Sequence, residues 1–442
     1  MPNPILPLWE YIPDGEPRVF GDRVYLYGSH DRVACNDFCD FKLKVWSASV
    51  NDLNNWQCHG DSFRTKDGFD RKSDTNWTDR ELFAPDVICK DGRYYLYAYI
   101  VGSKGCVGVS DNPEGPFNLL SRYKYTEGNE GDDGIFNDAG VLVDDDGRVY
   151  IYYGFTESYM NEINAENMYE ILDSSLVRSV INDSESVCDE QRFYEASSPR
   201  KIGDLYYLIY SPCKGSRLSY ATSKSPRGPF EYRGYIVDNG VDYPSGNNHG
   251  SVCKIGEQWY VFYHRTTNNT IMSRRACVEK IEILEDGTIP TVEMTSLGFE
   301  NALNPYKPVP AEIACVLKGG AFITERDIFS RSIVNITDGC VIGYKYFDFG
   351  EDFSSDTMLA ALKVRGMGSK CTVRIYSDDY QNGEPIGEVK IFPSDGIYKT
   401  KVKALKGVHA IYFTASHGVK GWTKGYFDSK PLFEFEEFVF LK

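Results

Sequence analysis

Five ionisable side chains stand at matching places in this chain. Asp14, Asp86, Asp138, Glu195 and His249 each lie shortly upstream of a glycine that opens an aromatic-rich strand phrase. Any one of them alone reads as a turn or hairpin-cap residue, because short acidic side chains accept readily from nearby backbone N–H groups. Repetition changes that reading. If the five phrases are arranged radially, the five side chains converge on one axis. Convergent carboxylates suit cleavage of a glycosidic bond. One carboxylic acid protonates the leaving oxygen, and a second carboxylate activates water or attacks directly. A third carboxylate beside the acid raises the acid's pKa by like-charge repulsion and keeps it protonated near neutral pH. Asp14, Asp138 and Glu195, from three different repeats, are the candidates for these three places.

The elements that must position them are written in the repeats. The phrases are GDRVYLYGS from Gly21, GRYYLYAY from Gly92, GRVYIYYG from Gly147, GDLYYLIYS from Gly203 and GEQWYVFYH from Gly256, with glycines 71, 55, 56 and 53 residues apart. Units of this length predict a five-bladed β-propeller over residues 1–300, the innermost strand of each blade lining a common axis. SDNPEGPF (Ser110–Phe117) and SKSPRGPF (Ser223–Phe230) read as outer hairpins, and Ser47–Trp56 takes the equivalent place in the first blade. Ser158–Ser175 reads as a helical or irregular insertion. NPYKPVP places a stiff linker at 301–310. Residues 311–442 carry short strands such as CTVRIYS, GEVKIF, HAIYFTA and FEFEEFVFL, which predict a jelly-roll-like β-sandwich. The fold class expected is therefore all-β.

Composition bounds the partners. The chain has 442 residues, with 64 acidic against 48 basic side chains and a formal net charge of −16. That balance argues against nucleic acid, whose phosphates need basic patches. No stretch approaches 18 apolar residues, so no membrane-spanning helix is expected. The opening MPNPILPLWEY lacks a basic n-region and a long apolar h-region, so no signal peptide is read and a cytoplasmic location is expected. The twelve cysteines show no CxxC pair, and they read as reduced, mostly buried thiols rather than a zinc site. The 32 Tyr and 25 Phe fit half-buried pleated strands.

With these motifs in view, the chain resembles glycoside hydrolase family 43 from residue 1 to about 295. Asp14 lies seven residues before Gly21, Asp138 lies nine before Gly147 of a DDDG turn, and Glu195 opens EASSP before Gly203. FAPD (Phe83–Asp86), NHG (Asn248–Gly250) and Tyr263–His264 complete the pattern. Departures from it are Gly15 and Ala139 where proline is usual, Phe83 where tryptophan is usual, and Ala196–Ser197 after the acid. The resemblance implies an inverting five-bladed propeller with Asp14 as general base, Glu195 as general acid and Asp138 as pKa modulator. It implies substrate contacts from Phe83, Asp86, His249 and Arg274, although a one-residue slip would exchange Arg274 for Arg275. It places His249 on the axis near a water or a bound calcium. No cofactor is required; a structural calcium in the axis or the sandwich is the one metal it suggests. The expected reaction is exo-release of α-L-arabinofuranose or β-D-xylose from plant-cell-wall oligosaccharides. The alternatives are a silent sugar-binding propeller and action on another sugar, such as a galactoside. The sandwich resembles carbohydrate-binding module family 6 through Ile336–Gly350 and FEFEEFVF, with Tyr344 and Tyr398 as candidate sugar-binding aromatics.

Overall fold

In the second strand of every blade, alternate side chains go to opposite neighbours. This follows from the period-2 geometry of a strand. In Arg23–Gly28, Val24 and Leu26 pack with Phe262 and Val278 of the fifth blade, while Tyr25 and Tyr27 pack with Leu96 and Phe117 of the second. In Val149–Tyr153 the odd positions Val149, Ile151 and Tyr153 meet Ile88 and Tyr97, and Tyr150 and Tyr152 meet Leu208 and Phe230. Tyr207 and Ile209 then pack with Val261 and Tyr263. Both faces of each phrase are thus core faces, which explains why the phrases are apolar or aromatic throughout. Each large side chain buried this way contributes about 1.5–3 kcal/mol.

The computed structural model describes residues 1–126, 136–181, 188–244 and 246–442. The five blades are antiparallel sheets, the third with Lys124–Tyr125 added in parallel along Glu170–Arg178, and are entered by the innermost strands Glu16–Phe20, Leu82–Lys90, Gly140–Val143, Phe193–Ile202 and Ser251–Ile255. Each hairpin into the second strand turns at a positive-φ glycine, Gly21, Gly92, Gly147, Gly203 or Gly256, the conformation such tight turns need. The two Pro-Gly phrases close outer hairpins as expected. Each also receives a tyrosine from the preceding blade: Tyr27 Oη donates to the Pro113 carbonyl at 2.7 Å and Tyr152 Oη to that of Pro226 at 2.5 Å.

The fifth blade has three named strands, ending in Thr270–Ile281. The N-terminal segment covers its open edge. Ile5 N–H donates to the Ala276 carbonyl at 3.0 Å, and the Asn3 amide bonds the Val278 carbonyl (2.8 Å) and accepts from Val278 N–H (2.9 Å). The ring therefore closes by joining the start of the chain to its last blade. Ion pairs brace the innermost strands around the axis. Arg18 grips Asp86 at 2.6 Å, and Arg200 grips Glu16 at 2.6 Å.

Residues 309–442 form two packed sheets, one ordered Phe322–Asp327, Ser330–Ile336, Phe433–Leu441, Thr357–Gly366, Gly396–Lys403, with Val309–Pro310 added along Phe433–Leu441. The proline-rich stretch is not a free spacer. Leu303 N–H donates to the Tyr346 carbonyl at 2.8 Å, and the Pro305 carbonyl accepts from Phe440 N–H at 2.9 Å. The core between blades four and five continues without a break into the sandwich. Ser158–Ser175 is likewise not a helical or irregular insertion. It holds the strand Tyr159–Ile163 and most of Glu170–Arg178. Polar residues at inward positions hid the strand: Asn161 is buried, its Oδ1 accepting from Tyr153 Oη at 2.6 Å and its Nδ2 donating to the Leu172 carbonyl at 3.1 Å. Among the described residues no helix is long and apolar enough to cross a membrane, and no two cysteines are joined in a disulfide.

Candidate active site

Four of the five axial segments carry a non-glycine residue in the left-handed region just before or within the innermost strand: Asp14 (φ 56°), Ala84 (φ 32°), Asp138 (φ 49°) and Ala196 (φ 69°). Such residues cost of order 1–3 kcal/mol each and persist only where their surroundings hold them. In the fourth blade the pairing of Phe193–Ile202 with Leu205–Pro212 shifts register on both sides of Glu195. A bulge of this kind re-aims a side chain out of the sheet. These distortions, repeated around the ring, set the acidic residues at the axis.

The result is one cavity of about 310 Å³ lined by Asp14, Asp138, Glu195, His249 and Arg274, with Phe38, Phe83, Phe155, Tyr194 and Ile271 as its apolar walls. Asp14 is buried at 4% exposure. Its Oδ1 accepts from Arg274 Nη1 at 2.8 Å, and its Oδ2 accepts from Ser29 Oγ at 2.7 Å. Burial pushes its carboxyl up, but the charge of Arg274, with the neighbouring imidazoles and the Ser29 hydroxyl, outweighs burial and holds it below the ordinary range. Arg274 is held in turn by Asp31, which accepts from Nε at 3.0 Å and Nη2 at 2.8 Å. Arg275, one residue on, turns away to the Leu6 carbonyl at 3.3 Å, so strand alternation settles the choice for Arg274.

Asp138 and Glu195 move the other way. Burial raises Asp138 well above the usual carboxylate range, and the negative charges of Glu195 and Asp14 raise it further. Glu195 is also raised, by burial first and by Asp14, against hydrogen bonding from Asn247. The two titrate as a pair and are described as one. Gly140 allows their closeness: a Cβ on it would lie 2.2 Å from the Ser197 carbonyl oxygen, so the innermost strands of blades three and four touch two residues beyond each carboxyl. Glu195 Oε1 accepts from Asn247 Nδ2 at 2.9 Å. His249 Nδ1 stands 3.7 Å from Asp14 Oδ1 and 3.8 Å from Asp138 Oδ2, between Asp14 and the pair.

Three expected ligand residues are placed elsewhere. Asp86 is fully buried and lies outside the cavity lining, where it accepts from Arg18 and from Val141 N–H at 2.8 Å. Burial against a cation turned a charged candidate into a brace. Tyr344 is wholly buried in the sandwich, edge-on to Phe413, with its hydroxyl on the Ala311 carbonyl at 3.1 Å, so no sugar can stack on it. Tyr398 is at the sandwich surface, stacked on the exposed Phe392 and remote from the cavity lining. Residues not foreseen are Ser29, Asp31, Phe38, Asn137, Phe155, Tyr194, Asn247 and Ile271. Asn247, in NNHG two residues before His249, and Asp31, in the GSHD that follows the first phrase, were the two with a visible signal.

A structural calcium would have to find its oxygen donors at the axis or in the sandwich. Calcium takes six to eight oxygen ligands. At the axis the Asp14 oxygens are committed to Arg274 and Ser29, and His249 offers nitrogen. In the sandwich, Asp338, His417 and Asp428 bring donors within 4.8 Å of one another. There His417 Nδ1 accepts from Val419 N–H at 2.9 Å, so Nε2 carries the proton, and Lys424 Nζ already holds Asp428 at 2.8 Å. Neither donor set is a calcium cage. A second cavity of about 300 Å³, between blade four and the sandwich, has its charges paired: Asp238 with Arg217, Asp242 with Lys318, Glu293 with Lys345. It lacks the opposed carboxyls of the axial site.

A carboxylate held by an arginine and pushed down, facing a buried carboxyl pair pushed up, in an aromatic-walled axial cavity is the arrangement that glycoside hydrolysis uses. The model of glycosyl hydrolases family 43 matches residues 1–289, and the chain belongs to that family. A xylosidase/arabinosidase of Thermoclostridium stercorarium is 36% identical, over 93% of this chain and 95% of its own. A β-xylosidase/α-arabinofuranosidase from a compost microbial metagenome, solved with xylotriose in a calcium-free form, is 26% identical with TM-score 0.55, covering 66% of this chain and 98% of its own. The arabinoxylan arabinofuranohydrolase of Bacillus subtilis, solved with cellotetraose, covers 100% of this chain and 97% of its own with TM-score 0.54 at 21% identity, and shares the whole two-part fold.

Proposed function

We propose that this protein removes single α-L-arabinofuranosyl or β-D-xylosyl units from short arabino-xylo-oligosaccharides, with inversion. Asp14 activates water, Glu195 protonates the leaving oxygen, and Asp138 shares the proton that Glu195 must keep. The observation that carries the reading is the meeting of three buried carboxyls from three blades in one aromatic-walled cavity, Asp14 held by Arg274 and Ser29 and pushed down, Asp138 and Glu195 facing each other and pushed up. A binding propeller has no use for that opposition, whereas acid–base hydrolysis requires it. The choice of pentose draws on the similarity to the Thermoclostridium enzyme. A cavity of about 310 Å³ suits one or two sugar rings and favours exo action.

The test is product identification from a set of arabino-xylo-oligosaccharides, with NMR of the first-formed anomer. A free pentose released with inverted configuration is expected. Release of hexose, release of internal oligosaccharides, or a retained anomer each overturns a stated part of the reading.

A further inference from the structure

The Tyr263–His264 pair that ends the fifth phrase has no part in the mechanism above, yet His264 reaches towards both of its ends. The ring is buried at 1% exposure. Its Nδ1 lies 3.3 Å from the backbone N of Asp14, and its Nε2 lies 3.0 Å from the carbonyl oxygen of Asn247. A carbonyl oxygen only accepts, so Nε2 carries the ring proton. A neutral ring then leaves Nδ1 bare, and it accepts from Asp14 N–H. Asn247 in turn donates from its side chain to Glu195 Oε1 at 2.9 Å. The His264 main chain is pinned as well, its carbonyl accepting from Asn239 Nδ2 at 2.7 Å. One imidazole therefore links the backbone of the base, in blade one, to the amide that holds the acid, in blade four.

We propose that His264 is a positioning residue that fixes the spacing between Asp14 and Glu195 through Asn247. The proposal rests on the hydrolase reading above. Inverting hydrolysis needs the two carboxyls about 6.5–9.5 Å apart with a water between them. Asp14 sits in a left-handed backbone conformation, which needs an external hold. Glu195 sits on a bulge, which leaves it free to swing unless its carboxyl is held. His264 serves both needs. The charged and titratable groups facing the ring are Asp14, Arg274 and the His249 imidazole, with burial and Arg274 pushing the His264 ring pKa down to about 3. Arg274 fixes the Asp14 carboxylate and Asn137 Nδ2 reaches Glu195 Oε2 at 3.5 Å, but His264 is the residue tied to both sides, to Asp14 directly and to Glu195 through Asn247.

The experiment compares 4-methoxyphenyl and 2,4-dinitrophenyl glycosides of the released pentose, a poor and a good leaving group. His264→Leu removes both bonds. His264→Gln retains an acceptor for Asp14 N–H and a donor for the Asn247 carbonyl. Misplacement by ~1 Å can cost ~10²-fold in rate. The expected loss for His264→Leu is about 10²-fold in kcat on the poor leaving group and clearly less on the good one, with KM little changed and Gln recovering most of it. In an Asn247→Ala background the extra loss on the poor leaving group should vanish, because the route to the acid is already cut. Equal losses on both substrates, a loss confined to KM, or a folded Gln variant as impaired as Leu would each overturn the proposal. If the Leu variant does not fold, the Gln and Asn247→Ala rates decide by the same criteria. A wild-type protein that cleaves neither glycoside removes the hydrolase reading and the tether together, whereas failure of the tether alone leaves wild-type rates intact.

Discussion

Asp14 and Asp138 are both buried at the axis, yet their surroundings drive them in opposite directions. Arg274 at 2.8 Å outweighs burial for Asp14; among the described residues Asp138 has no arginine at that range and faces Glu195 instead. Two predictions follow at this scale. Asp14→Asn and Glu195→Gln should each lower kcat by about 10²–10⁴-fold on an unactivated oligosaccharide while circular dichroism stays native. Glu195→Gln should be milder on an activated aryl glycoside. Near-wild-type kcat in either variant would remove that residue from its role. Asp138→Asn tests the pair. Activity needs one proton on the pair, and the last proton leaves at a pH raised by the like charge left behind. Taking that charge away should move the alkaline limb of the pH–rate profile to lower pH, by about one unit for every 1.4 kcal/mol of interaction lost. The acid limb belongs to Asp14 and should stay below the usual carboxylate range. An unmoved alkaline limb would return Asp138 to the status of a turn residue. The acidic triad was legible because one residue type recurs at one place in a repeat. Asp31, His264 and Asn247 stand in or beside visible motifs, but their roles were not legible, because those roles exist only through contacts with residues tens to hundreds of positions away.

At the scale of elements, the strand phrases carried the propeller and the irregularities carry the site. Left-handed residues at Asp14, Ala84, Asp138 and Ala196 and the bulge at Glu195 are tertiary choices with no sequence signature beyond their recurrence. The same limit hid the strands of Ser158–Ser175, where Asn161 faces inward because Tyr153 and Leu172 satisfy it. Gly140 offers a test of how elements tune the site. A Cβ there would meet the Ser197 carbonyl oxygen at 2.2 Å and the Pro199 ring at 2.4 Å. Gly140→Ala must push the innermost strands of blades three and four apart. Overpacking of this kind costs about 1–3 kcal/mol, which calorimetry would register as a lower Tm. Separation of Asp138 from Glu195 should also bring the alkaline limb down, as in Asp138→Asn but with both carboxyls present. A lower Tm with an unmoved limb would show that strand contact serves packing alone.

The whole molecule is less divisible than its sequence suggests. A proline-rich stretch between two composition classes reads as a linker between independent units. The structure shows instead one core running from Tyr207 and Val261 in the propeller to Ile313, Ile333 and Phe438 in the sandwich. Polar contacts add to it. Arg331 donates to the Leu8 carbonyl and, at 2.9 Å, to Tyr11 Oη, three residues from Asp14. Asn268 N–H, on the hairpin of blade five, donates to the Ile323 carbonyl at 2.8 Å, and Ser296 N–H donates to that of Lys345 at 2.8 Å. Sequence could not reveal this, because an apolar strand looks the same whether its face is covered by its own domain or by another. The prediction is that residues 1–300 alone do not form a stable propeller. Cutting there uncovers several side chains that each contribute about 1.5–3 kcal/mol when buried, against a net stability of about 5–15 kcal/mol for a typical domain. The truncated chain should aggregate or melt well below the full-length protein. Whatever remains folded should lose kcat through the Leu8–Tyr11 segment, which the sandwich holds in place through Arg331. Arg331→Met, which leaves the sandwich present, should reproduce a smaller part of the kcat loss. A truncated chain with the full-length Tm and kcat would mean that the two parts only touch, and that the sandwich is an independent module after all.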